Sequence, residues 1–500
     1  MIAAVATAAL AAAMESPTRS PRLRYSVVGA EVYDLDAKRV LYARNAQTLM
    51  VAASTTKLLT EGTSLALLGP DFRWTTPVYR TGPVEPGGAL RGDLVLVASG
   101  DPNLSQRIRP DGTLAFENED HAYDGSAETK AVPGDPLAVL RDLATQVRKS
   151  GIARVEGNVV VDTALFPDQG AEGGTGVIVS PIVVNDNVVD VTVTPGQKAG
   201  DPVSIAVSPQ TPYVSFVNQA KTGAPKSDAA IDLSNDVRDA TGHHVVTITG
   251  SQAPGPSILY AYRVPEPKLF AQAAFTVALQ DAGVTVVPAA SLAPAPGGPY
   301  DPANLVARHI SPPLSEDVYI TLKVSDNLHA GLMPYMWAAY LAHAKSDFAK
   351  AGFALENKML AGAGLDVNQA IQEDGLGSSA YFTPDFMVHY LAWVRAQQWY
   401  PLLLRGLPIL GVDGTLADIA RKSVARGKVF AKTGTDGGED YLGDDEFIQK
   451  GLAGYMTTRG GRHVAFAFYI GTIKGKAHED TGHFAGEVLG AMATAAYTSL

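Results

Sequence analysis

Ser54-Thr55-Thr56-Lys57-Leu58-Leu59-Thr60-Glu61-Gly62-Thr63-Ser64-Leu65-Ala66-Leu67-Leu68, closed by Gly69-Pro70, decides how this chain is read. Leu58, Leu59, Leu65 and Leu68 recur at helical spacing, and Gly-Pro stops the run, so Ser54 to Leu68 is expected to be a helix. Ser54 and Lys57 are three residues apart and share one face of it. If Ser54 opens the helix, its hydroxyl lies where backbone N–H groups point and the dipole favours negative charge. A serine alcohol is a poor nucleophile without a base. A neutral Lys57 would serve, because burial and nearby cations lower a lysine pKa. Alone the pair is weak: Ser-x-x-Lys arises by chance on the order of once or twice in such a chain. Its plain reading is a capping serine and a solvated lysine.

Two later motifs change that balance. Ser325-Asp326-Asn327 offers a hydroxyl that could relay a proton and an amide that could hold a substrate carbonyl. Lys432-Thr433-Gly434 ends an apolar strand near the C-terminus. There the glycine lets a substrate backbone approach, and the lysine and threonine can hold a carboxylate. The backbone N–H groups of Ser54 and Thr435 are then candidates for an oxyanion hole. Each tripeptide alone reads as an ordinary cap or strand end. In order, in these contexts, they describe acyl transfer to a serine whose base is a lysine.

Bulk properties exclude several alternatives. Five hundred residues exceed one ordinary core, so two or three domains are expected. The net charge is −11 and there is no Lys/Arg run, which argues against a nucleic-acid partner. With no cysteine, a disulfide framework, a thiolate nucleophile and a cysteine zinc site are excluded. His243-His244 has no spaced partner and reads as a loop or strand start, so no metal site is expected. Asp440, Asp444, Asp445 and Glu446 lack the spacing of a calcium loop and read as solvated acids. Residues 1–20 open on an Ala-rich apolar stretch and are expected to be signal-like or disordered. That points to a periplasmic or otherwise extracytoplasmic protein with an incomplete signal.

Tyr25 to Tyr42 reads as a hairpin around Asp34–Lys38. From about Thr75 to Tyr300 short β-branched runs alternate with Gly/Pro turns: Leu94–Ala98, Asn158–Asp162, Val188–Thr194, Val203–Val207 and His244–Thr249. Helices are expected at Pro136–Val147 and Glu266–Ala282, and a linker at Val287–Pro302. Further helices are expected at Leu314–Leu332, Met333–Ala351, Thr383–Gln397 and Thr415–Arg421. Strands follow at Gly427–Lys432, Leu452–Thr457 and His463–Ile470, and His478–Ser499 closes the chain as a helix. This is an α+β chain: a discontinuous domain over 21–85 and 301–500, interrupted by a β-rich insert at 86–300 of about two subdomains.

The motifs, in this order, resemble the low-molecular-mass penicillin-binding proteins of the D-alanyl-D-alanine carboxypeptidase/endopeptidase type, peptidase family S13. His309-Ile310-Ser311-Pro312-Pro313-Leu314-Ser315, Gly100-Asp101-Pro102, Val412-Asp413-Gly414-Thr415-Leu416 and Ala431-Lys432-Thr433-Gly434-Thr435 carry the likeness further. The resemblance implies a penicillin-recognition domain of helices around an antiparallel sheet, serine β-lactamase-like, with β domains inserted between the first two motifs. It implies that Ser54 is acylated, that Lys57 activates it, and that Ser325 and Asn327 complete the proton relay and substrate grip. Lys432, Thr433, Gly434 and Thr435 would hold the terminal carboxylate and the oxyanion. Asp162, ending Val159-Val160-Val161-Asp162, would meet the amino end of the substrate side chain. Peptidoglycan stem peptides are the implied partners, β-lactams covalent inhibitors, and no cofactor is needed; peripheral membrane association and oligomeric state stay open.

The chain departs from the family pattern in places. Val51-Ala52-Ala53 precedes the serine without the usual proline, and Gly331 replaces a glutamate after the second motif. Gly170–Gly174 lacks an expected tryptophan. Pro102–Val132 reads as an extra polar loop, and Asp436–Lys450 as an acidic loop on the active-site rim. These leave an esterase, amidase or β-lactamase on the same scaffold, or a non-catalytic peptidoglycan-binding protein, as alternatives.

Overall fold

A computed structural model describes residues 2–105, 107–287, 298–443, 445–476 and 480–500 of the chain. The chain forms two units, one of residues 1–71 and 314–500 and one of residues 72–313. Most of the expected linker Val287–Pro302 lies outside the described residues.

The first unit is built on a five-stranded antiparallel sheet in the order Arg39–Arg44, Val28–Asp34, His463–Lys476, Asp445–Thr457, Val429–Asp440. Alternation along these strands sends Val28, Ala30, Val32, Phe466, Phe468 and Ile470 into one core. The helix Thr481–Ser499 packs on the two strands before it, and Ile2–Glu15 packs on that helix. The stretch read as signal-like or disordered is therefore helical here, with Leu10 and Met14 buried in the same core. The helix Pro384–Arg395, capped by Thr383 Oγ1 accepting from Phe386 N, lies on Val28–Asp34 and His463–Lys476.

Four local expectations need correction. Met333–Ala351 is not one helix: the helix holding Met333 ends at Tyr340, and the next, Phe348–Gly362, starts before Ala351 and runs past it. The helix expected over Leu314–Leu332 is two helices, Leu314–Val324 and Asn327–Tyr340. They break at Ser325, whose φ is +67°, and at Asp326, which caps the second helix by accepting from His329 N at 2.9 Å. Thr415–Arg421 is only a 3₁₀ turn, Gly414–Leu416, followed by turns, because Gly414 and Ala420 both take positive φ. Asp436–Lys450 is no loose loop. It continues the sheet as a hairpin, pairing Asp436 with Gln449 through to Asp440 with Asp445, and Lys474 bridges Asp440 and Asp445. At its tip Tyr441 and Leu442 are 87% and 95% exposed.

The second unit is β-rich, as read, with helices Ala138–Lys149 and Pro267–Asp281 packed together. Thr75–Arg80 and Leu305–Ile310 pair with each other, and Leu94–Val97 and Val159–Asp162 extend that sheet. A second sheet of three strands is centred on Val188–Thr194, and a third gathers around His244–Gln252. Pro102–Val132, expected as a polar loop, is tied down instead. His121 is buried between Asp186 and Asp190, 2.8 Å from each, and Arg263 pairs with Asp124 at 2.7 Å. Those two carboxylates hold the imidazole well above its usual range against the cost of burial. His244 opens its strand with its ring between Asp236 and Glu266. Among the described residues no helix is long and apolar enough to cross a membrane.

Candidate active site

The three motifs meet in the first unit. Ser54 sits in a 3₁₀ turn, Ala53–Thr56, that runs into the helix Lys57–Leu67. Ala53 takes a φ of +45°, an uncommon conformation for a residue with a Cβ, so the turn is sharply bent just before Ser54. The turn is pinned by Ala52 N donating to Ala380 O at 2.8 Å and by Thr55 Oγ1 donating to Ala52 O at 2.6 Å. Lys57 then points back beneath Ser54, with its Nζ 3.0 Å from Ser54 Oγ.

Lys57 is fully buried, and its Nζ also reaches Ser325 O at 2.7 Å, Asn327 Oδ1 at 2.5 Å and Ser325 Oγ at 3.1 Å. The carbonyl and the amide oxygen can only accept. A neutral amine has two N–H bonds to satisfy them, which leaves its lone pair toward the two serine hydroxyls. That arrangement suits a general base.

On the far side of Ser325, Lys432 Nζ donates to Ser325 Oγ at 2.8 Å and to Thr433 O at 2.9 Å. Ser325 Oγ thus lies between two lysines. Burial pushes the Lys432 ammonium well below its usual range, and positive charge at Lys57 and Lys450 pushes the same way when they are protonated. Thr433 Oγ1 shares a 2.7 Å hydrogen bond with Thr415 Oγ1. Two residues before Thr415, Asp413 takes two bonds from the buried Lys323 at 2.9 and 3.0 Å. Gly434 is where strand and nucleophile turn touch. A Cβ there would stand 2.5 Å from Ala52 O and 3.1 Å from Thr55 N, so only glycine fits.

Ser54, Lys57, Ser325, Asn327, Lys432, Thr433, Gly434 and Thr435 are thus placed in one unit by three separate elements. Asp162 belongs to the other unit. It is 5% exposed; its Oδ2 accepts from the Tyr300 hydroxyl and its Oδ1 accepts from Ala164 N at 2.9 Å.

Reading the sequence missed several residues. Thr415 lay inside a motif quoted for its likeness, with no role attached. Glu61, Asp317 and His329 are buried together near Lys57, with His329 Nδ1 2.8 Å from Asp317 Oδ1. Burial, followed by Asp317, holds the Glu61 carboxyl well above its usual range. One helical turn after Lys57, the single carboxylate of this helix was the available signal. Glu31, Asp385 and His389 form a further set that could hold a cation, with ligand atoms within 4.8 Å of one another.

The comparisons with known proteins agree with the resemblance read from the motifs. The model of the D-Ala-D-Ala carboxypeptidase 3 (S13) family matches residues 10–489. A D-alanyl-D-alanine carboxypeptidase of Actinomadura sp. (strain R39) is 29% identical over 445 residues, 84% of this chain and 75% of that protein. The D-alanyl-D-alanine carboxypeptidase DacB of Haemophilus influenzae is 23% identical over 462 residues, 89% of this chain and 85% of that one. In fold, the crystal structure of penicillin binding protein 4 (dacB) from H. influenzae superposes with a TM-score of 0.71 at 21% identity. It covers 97% of this chain and 99% of that one. The penicillin-recognition fold with its β-rich insert is therefore present, and the chain belongs to the D-Ala-D-Ala carboxypeptidase 3 (S13) family of serine carboxypeptidases.

Proposed function

We propose that this protein is a serine DD-peptidase that acts on peptidoglycan outside the cytoplasm. It cleaves the bond after the penultimate D-Ala of a stem peptide, or a D-Ala cross-link, through an acyl-enzyme on Ser54. The observation that carries this reading is Lys57 Nζ placed 3.0 Å from Ser54 Oγ and 3.1 Å from Ser325 Oγ.

In the first half-reaction Ser54 Oγ attacks the D-Ala carbonyl and its proton passes to Lys57 Nζ. The C–O bond forms as the carbonyl π pair moves onto oxygen. The backbone N–H groups of Ser54 and Thr435 receive that oxyanion. Lys57 returns the proton through Ser325 Oγ to the leaving nitrogen, and the C–N bond breaks. Water repeats the sequence in reverse and frees Ser54. Asn327 holds the substrate amide, while Lys432, Thr433 and Thr435 hold the carboxylate beyond the scissile bond. Asp162 meets the amino end of the stem side chain. β-Lactams present a strained amide and a carboxylate to the same groups and acylate Ser54. A relative's structure supports this part: penicillin binding protein 4 from H. influenzae has been seen complexed with a β-lactam.

Intact-protein mass spectrometry after incubation with a fluorescent penicillin tests the reading. A stable adduct on the wild type and none on Ser54→Ala is expected. Rapid penicillin loss without an adduct would indicate a β-lactamase instead, and neither adduct nor loss would remove the peptidase reading.

A further inference from the structure

Lys450 stands directly across the antiparallel ladder from Thr435, so the two side chains share one face of the sheet. Lys450 Nζ donates to Thr435 Oγ1 at 2.6 Å. An ammonium group has three protons and no acceptor lone pair, so in this bond the threonine oxygen is the acceptor. The Thr435 proton is then left to donate elsewhere. Thr435 is exposed, and it follows the glycine that touches the nucleophile turn. Lys450 and Thr433 also line a cavity of about 270 Å³ together with Thr415, Asp418 and His483. The other two lysines of the site also make bonds to protein acceptors, and two acceptors on Lys432 leave its ammonium one further proton for the carboxylate. Lys57 is engaged with Ser325 and Asn327, and Lys432 with Ser325 and Thr433. Both are fully buried, whereas Lys450 is only half-buried.

We propose that Lys450 is the positioning residue that selects substrates ending in a free carboxylate. Its ammonium aims the Thr435 hydroxyl proton at that carboxylate and places a positive charge beside it. The assignment rests on the peptidase reading above and names the residue that sets its terminal-group specificity.

The charge state of Lys450 gives a second readout. Burial brings its ammonium down to about 8, while Asp418 and Asp480 oppose the shift; His483 faces Asp418 at 3.2 Å, and the Lys432 cation lies on the active-site side. Above that pH a neutral amine can accept the Thr435 proton, and the donor to the substrate is lost. Carboxylate preference should therefore fall as pH rises through about 8.

The test measures kcat and KM of the full chain on an acyl-D-Ala-D-Ala peptide and on its C-terminal carboxamide. Acylation by benzylpenicillin and by its methyl ester is followed in parallel. Lys450→Ala should lose about tenfold or more in kcat/KM on the carboxylate, mainly through KM, and change less than about twofold on the carboxamide. Lys450→Arg should restore the preference and hold it above pH 8. Thr435→Val should reproduce the loss, and the double variant should add nothing further. Equal losses on both peptides, or a wild type that is acylated without preferring the carboxylate, would overturn the role of Lys450 alone. A wild type acylated by neither penicillin would remove the reading of Ser54 and this role with it.

Discussion

Ser325 turns both of its oxygens on Lys57, the carbonyl at 2.7 Å and the hydroxyl at 3.1 Å. It does so from a left-handed backbone, at a φ of +67°. The break between two helices is therefore part of the geometry around Lys57. Ser325→Gly keeps the backbone conformation and removes the hydroxyl. Penicillin acylation by that variant should fall about 100-fold or more with little change in Tm. Ser325→Ala keeps the Cβ that the wild type already carries in this conformation, so it should show the same chemical loss with no added backbone strain, read by thermal unfolding.

Lys57→Ala should be far more damaging to acylation than Asp162→Ala. Removing the base is expected to cost about 10⁴-fold in acylation rate. Asp162 belongs to the other unit and is engaged with Tyr300 and Ala164, so its loss should change acylation by a simple penicillin less than about threefold. Stopped-flow acylation rates compare the two. If Asp162→Ala were the worse, its assignment to the substrate side chain would be wrong.

The nucleophile helix leans on a buried acid. Thr63 Oγ1 donates to Glu356 Oε1 at 2.9 Å, and burial raises the Glu356 carboxyl to about 7 despite that bond. A raised carboxyl means the folded state binds more proton than the unfolded one between pH 4.5 and about 7. Stability contributed at this site is full below 4.5, falls as pH rises through that window, and stays low above it. Glu356→Gln keeps an acceptor for Thr63 and removes the titration. It should stabilise the protein by on the order of 2–3 kcal/mol at pH 8 and by almost nothing at pH 4.5. Urea unfolding at the two pH values decides it; equal effects at both would show that the acid does not titrate in that window.

Gly434→Ala should disable the site without touching any catalytic side chain. The new Cβ would press on Ala52 O and Thr55 N and push strand and nucleophile turn apart. An overpacking cost of about 1–3 kcal/mol in thermal stability is expected, with at least a 100-fold loss of acylation. A fully active variant would show that the turn can retreat freely.

The reaction class was legible before any fold was known. Ser54 and Lys57 are three residues apart, and helical periodicity alone puts them on one face. The hairpin after Tyr25, the helices near Pro136 and Glu266 and the terminal sheet strands follow from period, caps and Gly/Pro stops, all local signals. The errors fell where local signals compete. Leu314–Leu332 looked like one helix because its apolar spacing runs on, yet Ser325 and Asp326 are a left-handed residue and a cap. Asp436–Lys450 looked like a solvated loop because its charge hid the cross-strand register.

What the sequence determined by itself is the chemical inventory: a serine and a lysine three residues apart, a second serine with its asparagine, a second lysine and a glycine, each carried by a short motif. What only the tertiary structure decided is which of these share atoms. Lys57 and Ser325 are 268 positions apart, and Ser325 and Lys432 are 107. Thr415 behind Thr433 and Lys450 across from Thr435 owe their places to packing and strand register. No window along the chain can read those contacts, because they are made by long-range packing and ladder hydrogen bonds rather than by neighbours in sequence.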